Sequence, residues 1–130
     1  MPARDDTPSP KPLLDKLGVK PGMRVAVLGV DDESFRGELA ERTPVGADPQ
    51  DADIVFLAAN EPGDMALLAS LKRQIKRDGA VWAVYRKGQT VFNENDVLRL
   101  GLESGMVDVK VVRFSDTHTA TKFVIRKAER

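Results

Sequence analysis

Chemistry could reside first in an acidic run placed directly behind an apolar stretch. Asp31, Asp32 and Glu33 follow Arg24-Val25-Ala26-Val27-Leu28-Gly29-Val30. Carboxylates at the end of a buried strand are hard oxygen ligands suited to Mg²⁺. Phosphoryl chemistry on such a pair needs a further Asp at the end of a later strand. Ala58 and Ala59 stand there instead, closing Asp53-Ile54-Val55-Phe56-Leu57-Ala58-Ala59. The run is therefore read as N-caps and first-turn acids of the following helix, where carboxylates meet the positive helix end. His118 is the single histidine, with Asp116 two residues before it. A general base wants a partner that orients its ring. Both residues fall in a tight turn, so an exposed turn histidine is expected. Ser34, Ser70, Ser104 and Ser115 lack a G-x-S-x-G setting, which leaves a hydrolase elbow without support. Lys72, Arg73, Lys76 and Arg77 crowd the end of one predicted helix and complement its dipole. The cysteine count is zero, which excludes thiol catalysis, disulfides and zinc–thiolate sites.

These residues must be positioned by alternating strands and helices. Strands are expected over 24–30, 53–59 and 80–85, each apolar at both parities, as in a parallel sheet buried on two faces. Short helices are expected over 13–17, from Phe35 to Arg42 with Phe35 and Leu39 inward, and from an Asn93 or Asn95 cap to about Ser104. The clearest helix is Met65 to Arg77, with Leu67, Leu68, Leu71 and Ile75 on one stripe. Residues 43–52 hold Pro44, Gly46 and Pro49 and read as a loop. Strands over 107–114 and 119–126 are joined by four residues, too few for a parallel crossover, so they form an antiparallel hairpin. Ligands of open α/β sheets sit beyond the carboxyl ends of the strands. That edge should carry Gly29, Asp31, Asp32, Glu33, Asn60, Glu61, Asp64, Arg86 and Lys87, able to hold a small polar ligand or to form a salt-bridge network.

A chain of 130 residues, 42% hydrophobic and 31% charged, is one folded domain by size and composition. Residues 1–11, with Pro2, Pro8 and Pro10, are expected to be a flexible leader to a domain over 12–130. No apolar signal region is visible in residues 1–12, and the apolar runs of about six residues fall far short of a membrane span of about 20. A cytoplasmic chain without membrane contact is the expectation. Twenty basic residues balance twenty acidic ones, so no net field recruits nucleic acid. The balance hides an asymmetry: residues 1–65 carry 7 basic and 13 acidic groups, and residues 66–130 the reverse. The two halves are expected to attract each other within the domain.

The segment Leu13-Leu14-Asp15-Lys16-Leu17-Gly18-Val19-Lys20-Pro21-Gly22-Met23-Arg24-Val25 resembles the approach to the first strand of class I S-adenosylmethionine-dependent methyltransferases. Asp53 to Leu57 looks like their "fDlVl" strand, and Lys76-Arg77-Asp78-Gly79-Ala80-Val81-Trp82 like the glycine turn before the next. Gly105 to Val111 and Thr121 to Arg126 resemble their terminal hairpin. The stretches "LGVKPGMRVAVLG", "DGAVWAVY", "DVLRLGLESGMVDVKV" and "TKFVIRK" are similar to an uncharacterised bacterial family of small, truncated methyltransferase-like domains. The departures matter. Val27 occupies the acidic position of the methyltransferase loop. Gly29 is kept, but Asp31 and Glu33 stand where glycine lets backbone approach the cofactor. No strand is expected between residues 42 and 52, so the strand that presents a ribose-gripping acid should be absent.

The resemblance implies a Rossmann-like α/β domain with a five-strand, mainly parallel sheet in the order 24–30, 53–59, 80–85, 119–126, 107–114, and helices on both faces. The strand over 24–30 would lie at an edge, covered by the segment before Pro12, the loop at 43–52, or a second copy in a homodimer. The expected function is non-catalytic binding of a small polar ligand or a protein, with no metal and no cofactor. The alternative is an S-adenosylmethionine or nucleotide user whose pocket another chain completes.

Overall fold

The computed structural model describes residues 3–5 and 12–130. Seven strands form one mixed sheet: β1 (Ala3–Asp5), β2 (Val25–Leu28), β3 (Val45–Gly46), β4 (Ile54–Ala58), β5 (Ala80–Arg86), β6 (Met106–Arg113) and β7 (His118–Ile125), in the order β1-β6-β7-β5-β4-β2-β3. Strands β3, β2, β4 and β5 run parallel, β7 is antiparallel to both β5 and β6, and β1 is parallel to β6. The five anticipated strands thus lie in the anticipated order. No helix among the described residues is long and apolar enough to cross a membrane.

Four expectations are corrected. Among the described residues the sheet has seven strands, because short extended segments add to both of its edges. Val45 and Gly46, from the loop expected to hold no strand, pair with Val25 and Ala26. That loop covers the edge of β2, one of the three covers anticipated. Ala3–Asp5, taken as leader, pairs with Lys110 to Val112 on β6; the remainder of residues 1–11 lies outside the described residues. The long helix over 65–77 is instead two, α3 (Pro62–Met65) and α4 (Leu68–Gln74). Three-residue hydrogen bonds from Leu67 N–H to Asp64 O and from Ser70 N–H to Leu67 O tighten the chain between them. Leu67 is thereby turned outward while Leu68, Leu71 and Ile75 stay buried.

Strand alternation sorts the core onto two faces. Val25, Val27, Ile54, Phe56, Trp82 and Val84 meet α1 (Leu13–Lys16) and α2 (Glu33–Arg42). Ala26, Val55, Leu57, Val81, Ala83 and Tyr85 meet α3, α4 and α5 (Glu94–Glu103). Phe35 of α2 stacks edge-on against Phe56 of β4, with centroids 4.9 Å apart, and lies 4.8 Å from Phe114 at the end of β6. Gly101 of α5 faces the ring of Phe123 so closely that a Cβ would overlap it.

Asp53, half-buried at the base of the sheet, ties three strands together. Its Oδ2 accepts from Arg24 N–H at 2.8 Å and its Oδ1 from Lys76 Nζ at 2.9 Å. Its N–H donates to Arg24 O, and its carbonyl accepts from Ala80 N–H. Burial acts to raise the pKa of Asp53, but the Arg24 amide and the Lys76 ammonium outweigh it and hold the carboxyl below the ordinary range.

Two outcomes follow. A depressed native pKa gives stability that is full above the unfolded value of about 3.9 and is lost as pH falls through the native value. Asp53→Asn is expected to cost about 1–2 kcal/mol at pH 7, and urea midpoints of variant and wild type should converge below about pH 4. In an open helix, Gly→Ala gains about 1 kcal/mol. Gly101→Ala should instead lose about 1–3 kcal/mol by overpacking against Phe123, and Phe123→Leu in the same chain should recover part of the loss in urea titrations.

Candidate functional site

The site grows from the end of β2. After Leu28 the chain turns at Gly29 with φ +84°, a conformation that costs other residues about 1–2 kcal/mol. A Cβ on Gly29 would also stand 3.2 Å from the Ala58 Cβ on β4. Val30 then drops into the core beside α2. Asp32 caps the helix, its Oδ1 accepting from Phe35 N–H at 2.9 Å. Arg36, one turn into α2, reaches back to donate to Val30 O at 3.0 Å. Only Gly29–Asp32 lie between strand and helix, and each of these contacts fixes them.

The opposite wall is the turn between β6 and β7. Ser115 Oγ accepts from the N–H groups of Thr117 and His118 at 3.3 and 3.1 Å. Lys87 N–H, just past β5, donates to Thr117 O at 2.9 Å and fastens the turn to the central sheet. Between loop and turn lies a cleft of about 390 Å³, lined by Gly29, Val30, Asp31, Asp32, Ala58, Asn60, Val84, Phe114, Thr117 and His118. Its floor is apolar, from Ala58, Val84 and Phe114. Its rim carries two carboxylates, an amide, a hydroxyl and an imidazole.

The anticipated residues divide. Gly29, Asp31, Asp32 and Asn60 line the cleft. Glu33 opens α2 and Glu61 precedes α3; both are exposed and stand outside the lining. Asp64 is spent locally, accepting from the N–H groups of Asn60 and Glu61. Arg86 and Lys87 belong to a separate hollow of about 270 Å³ with Gly88, Asn93, Glu94 and Thr119. His118 corrects its expectation: it is half-buried and faces the cleft rather than bulk solvent. Its Nδ1 lies 2.8 Å from Thr117 Oγ1, while Asp116 is engaged by Arg113 at 2.7 Å. Thr117 and Phe114 are not anticipated as lining, and His118 is anticipated only as an exposed turn residue, because their place depends on the Lys87–Thr117 bond, a contact 30 residues apart in sequence. The hairpin-length link was the signal that could have put them at this edge.

The arrangement can bind. Acidic groups at the rim favour a neutral or cationic ligand over an anionic one, and the apolar floor suits its less polar side. Among the described residues no group of three His, Asp or Glu side chains could hold a metal ion.

No family model and no curated protein sequence matches this chain. Solved structures do. A putative type 11 methyltransferase from Sulfolobus solfataricus is similar with a TM-score of 0.64 at 16% identity, over 91% of this chain and 92% of that one. The pyocyanin biosynthetic protein PhzM gives 0.61 at 15% identity, over 87% and 53%. CalO1, a methyltransferase in calicheamicin biosynthesis solved in an SAH-bound form, gives 0.60 at 14%, over 88% and 52%. This chain spans about half the length of the latter two. At these identities the likeness is one of fold: the chain has the Rossmann-like α/β fold of S-adenosylmethionine-dependent methyltransferases.

Proposed function

We propose that the chain is a binding module on a methyltransferase fold, whose cleft takes a small polar ligand of neutral or cationic character and which does not transfer methyl groups. The loop Gly29–Asp32 is the observation that carries this reading. A nucleoside cofactor needs bare backbone along such a loop. Here Asp31, an exposed acid, lines the mouth of the cleft, and Glu33 adds another charge at the first turn of α2. The Phe35 N–H is already taken by Asp32. Val27, where the methyltransferase pattern has an acid, is buried against the α2 face. On this reading the side chains along the loop do not fit an adenosyl cofactor.

A second reading rests on β3. That short strand stands beside β2, and Asp48 follows it, exposed, its Oδ1 accepting from Gln50 N–H at 3.0 Å. An acid in that place favours a cofactor-binding chain whose pocket a partner completes.

Calorimetry and thermal unfolding with S-adenosylmethionine and S-adenosylhomocysteine separate the two. A ligand at a hundred times its Kd adds about 2.7 kcal/mol to stability. On the preferred reading neither compound gives heat or a shift, whereas a library of small amines and amides yields a ligand whose effect Asp31→Lys abolishes. Saturable binding of S-adenosylmethionine that Asp48→Ala removes would establish the second reading instead.

A further inference from the structure

Strands β6 and β7 place two lysines directly opposite each other, Lys110 against Lys122. Like charges in such a pair are destabilising. On its other side Lys122 pairs with Trp82 of β5. The end of α1 lies over the same face: Trp82 Nε1 donates to Leu17 O at 3.1 Å, and Lys110 Nζ to Lys16 O at 3.3 Å. Arg130 folds back so that its Nε donates to Ile125 O at 2.8 Å, and its guanidinium adds a third positive charge near Lys122. Burial lowers the Lys122 pKa first, with Lys110 and Arg130 lowering it further.

Among the residues whose side chains are described, no acid pairs with Lys110 or Lys122. Asp15 of α1 is held by Arg42 at 2.6 Å. Asp108 of β6 pairs with Phe123 and so lies on the opposite face of the sheet. Lys122 itself is half-buried and makes no hydrogen bond or ion pair among the described residues. Its three ammonium donors are therefore free, and Lys110 has two more beyond its bond to Lys16 O. Lys122 stands four residues along β7 from His118, about 13 Å at the usual strand rise, so this cluster is distinct from the cleft and does not rest on the reading given to it.

We propose that Lys110, Lys122 and Arg130 form a binding site for a phosphate-class oxyanion, which supplies a counter-charge that the described side chains do not. Such an anion accepts from several cationic donors at once, in short charge-assisted bonds.

The test is thermal unfolding of the full chain in inorganic phosphate, with sodium chloride at matched ionic strength as control. Phosphate should raise the Tm saturably above the chloride control. Lys122→Met should raise the Tm in chloride, since the repulsion is relieved, and should weaken phosphate binding about tenfold or more. Lys122→Arg should keep the phosphate increment, which shows that the charge rather than the side-chain volume matters. Broadening of the ³¹P resonance of phosphate by the wild-type chain, absent with the Met variant, reads binding without unfolding. Repeating the titration with a simple phosphate monoester shows whether a phosphorylated metabolite or the free ion is accepted, and either increment supports the site. Phosphate that merely tracks chloride, or an increment that survives Lys122→Met, overturns it.

Discussion

The position of the cleft depends on one constraint, the register of three parallel strands, and Asp53 holds it. Its carboxylate and its peptide group bind Arg24 on one side, and its carbonyl receives Ala80 N–H on the other. From that base Val25, Ile54 and Ala80 lie level. Four residues on, so do the ends of the strands, where Gly29 meets Ala58 and Ala58 pairs with Val84. A slip of one residue would turn Phe56 and Trp82 to the wrong face of the sheet and replace the small floor of the cleft with bulk.

The walls of the cleft depend on longer-range contacts. Phe35 joins α2 to β4 and to the end of β6 through its two aromatic neighbours, so the acidic loop and the histidine turn are braced by the same ring. Among the described ion pairs, Lys76–Asp53 joins the acidic and basic halves of the chain, while Arg42–Asp15, Lys72–Glu129 and Arg113–Asp116 each stay within one half. Carboxylates are left at the mouth of the cleft, and on the β6–β7 face the Lys122 ammonium has no acidic partner among the described side chains.

Much of this was legible in the residues. The four-residue link at 115–118 demanded an antiparallel hairpin, and apolar runs at both parities demanded a buried parallel sheet. The residues offered Asn93 or Asn95 as one cap and several of Asp31 to Ser34 as another; Asn93 and Asp32 are the ones that accept the backbone N–H. What stayed hidden had no local signature. Val45 and Gly46 form a two-residue strand between Pro44 and Ala47, too short for any period to register. The break after Met65 leaves the leucine stripe intact in sequence and shows only as a change of hydrogen-bond spacing. His118 reads as a turn residue until the backbone of Lys87 draws the turn over the sheet. Arg86 and Lys87 stood at the right edge but beside α5, a partition set by packing rather than by spacing.

On the proposed reading, the loop after β2 leaves its strand at a positive-φ glycine but carries side chains that close it to an adenosyl group. A crystal structure of the chain grown in saturating S-adenosylmethionine tests this most directly. The expected result is a cleft without a nucleoside, with Asp32 still bonded to Phe35 N–H and Asp31 at the mouth. An adenosyl group seated against Gly29, with its ribose hydroxyls on Asp48, would contradict it.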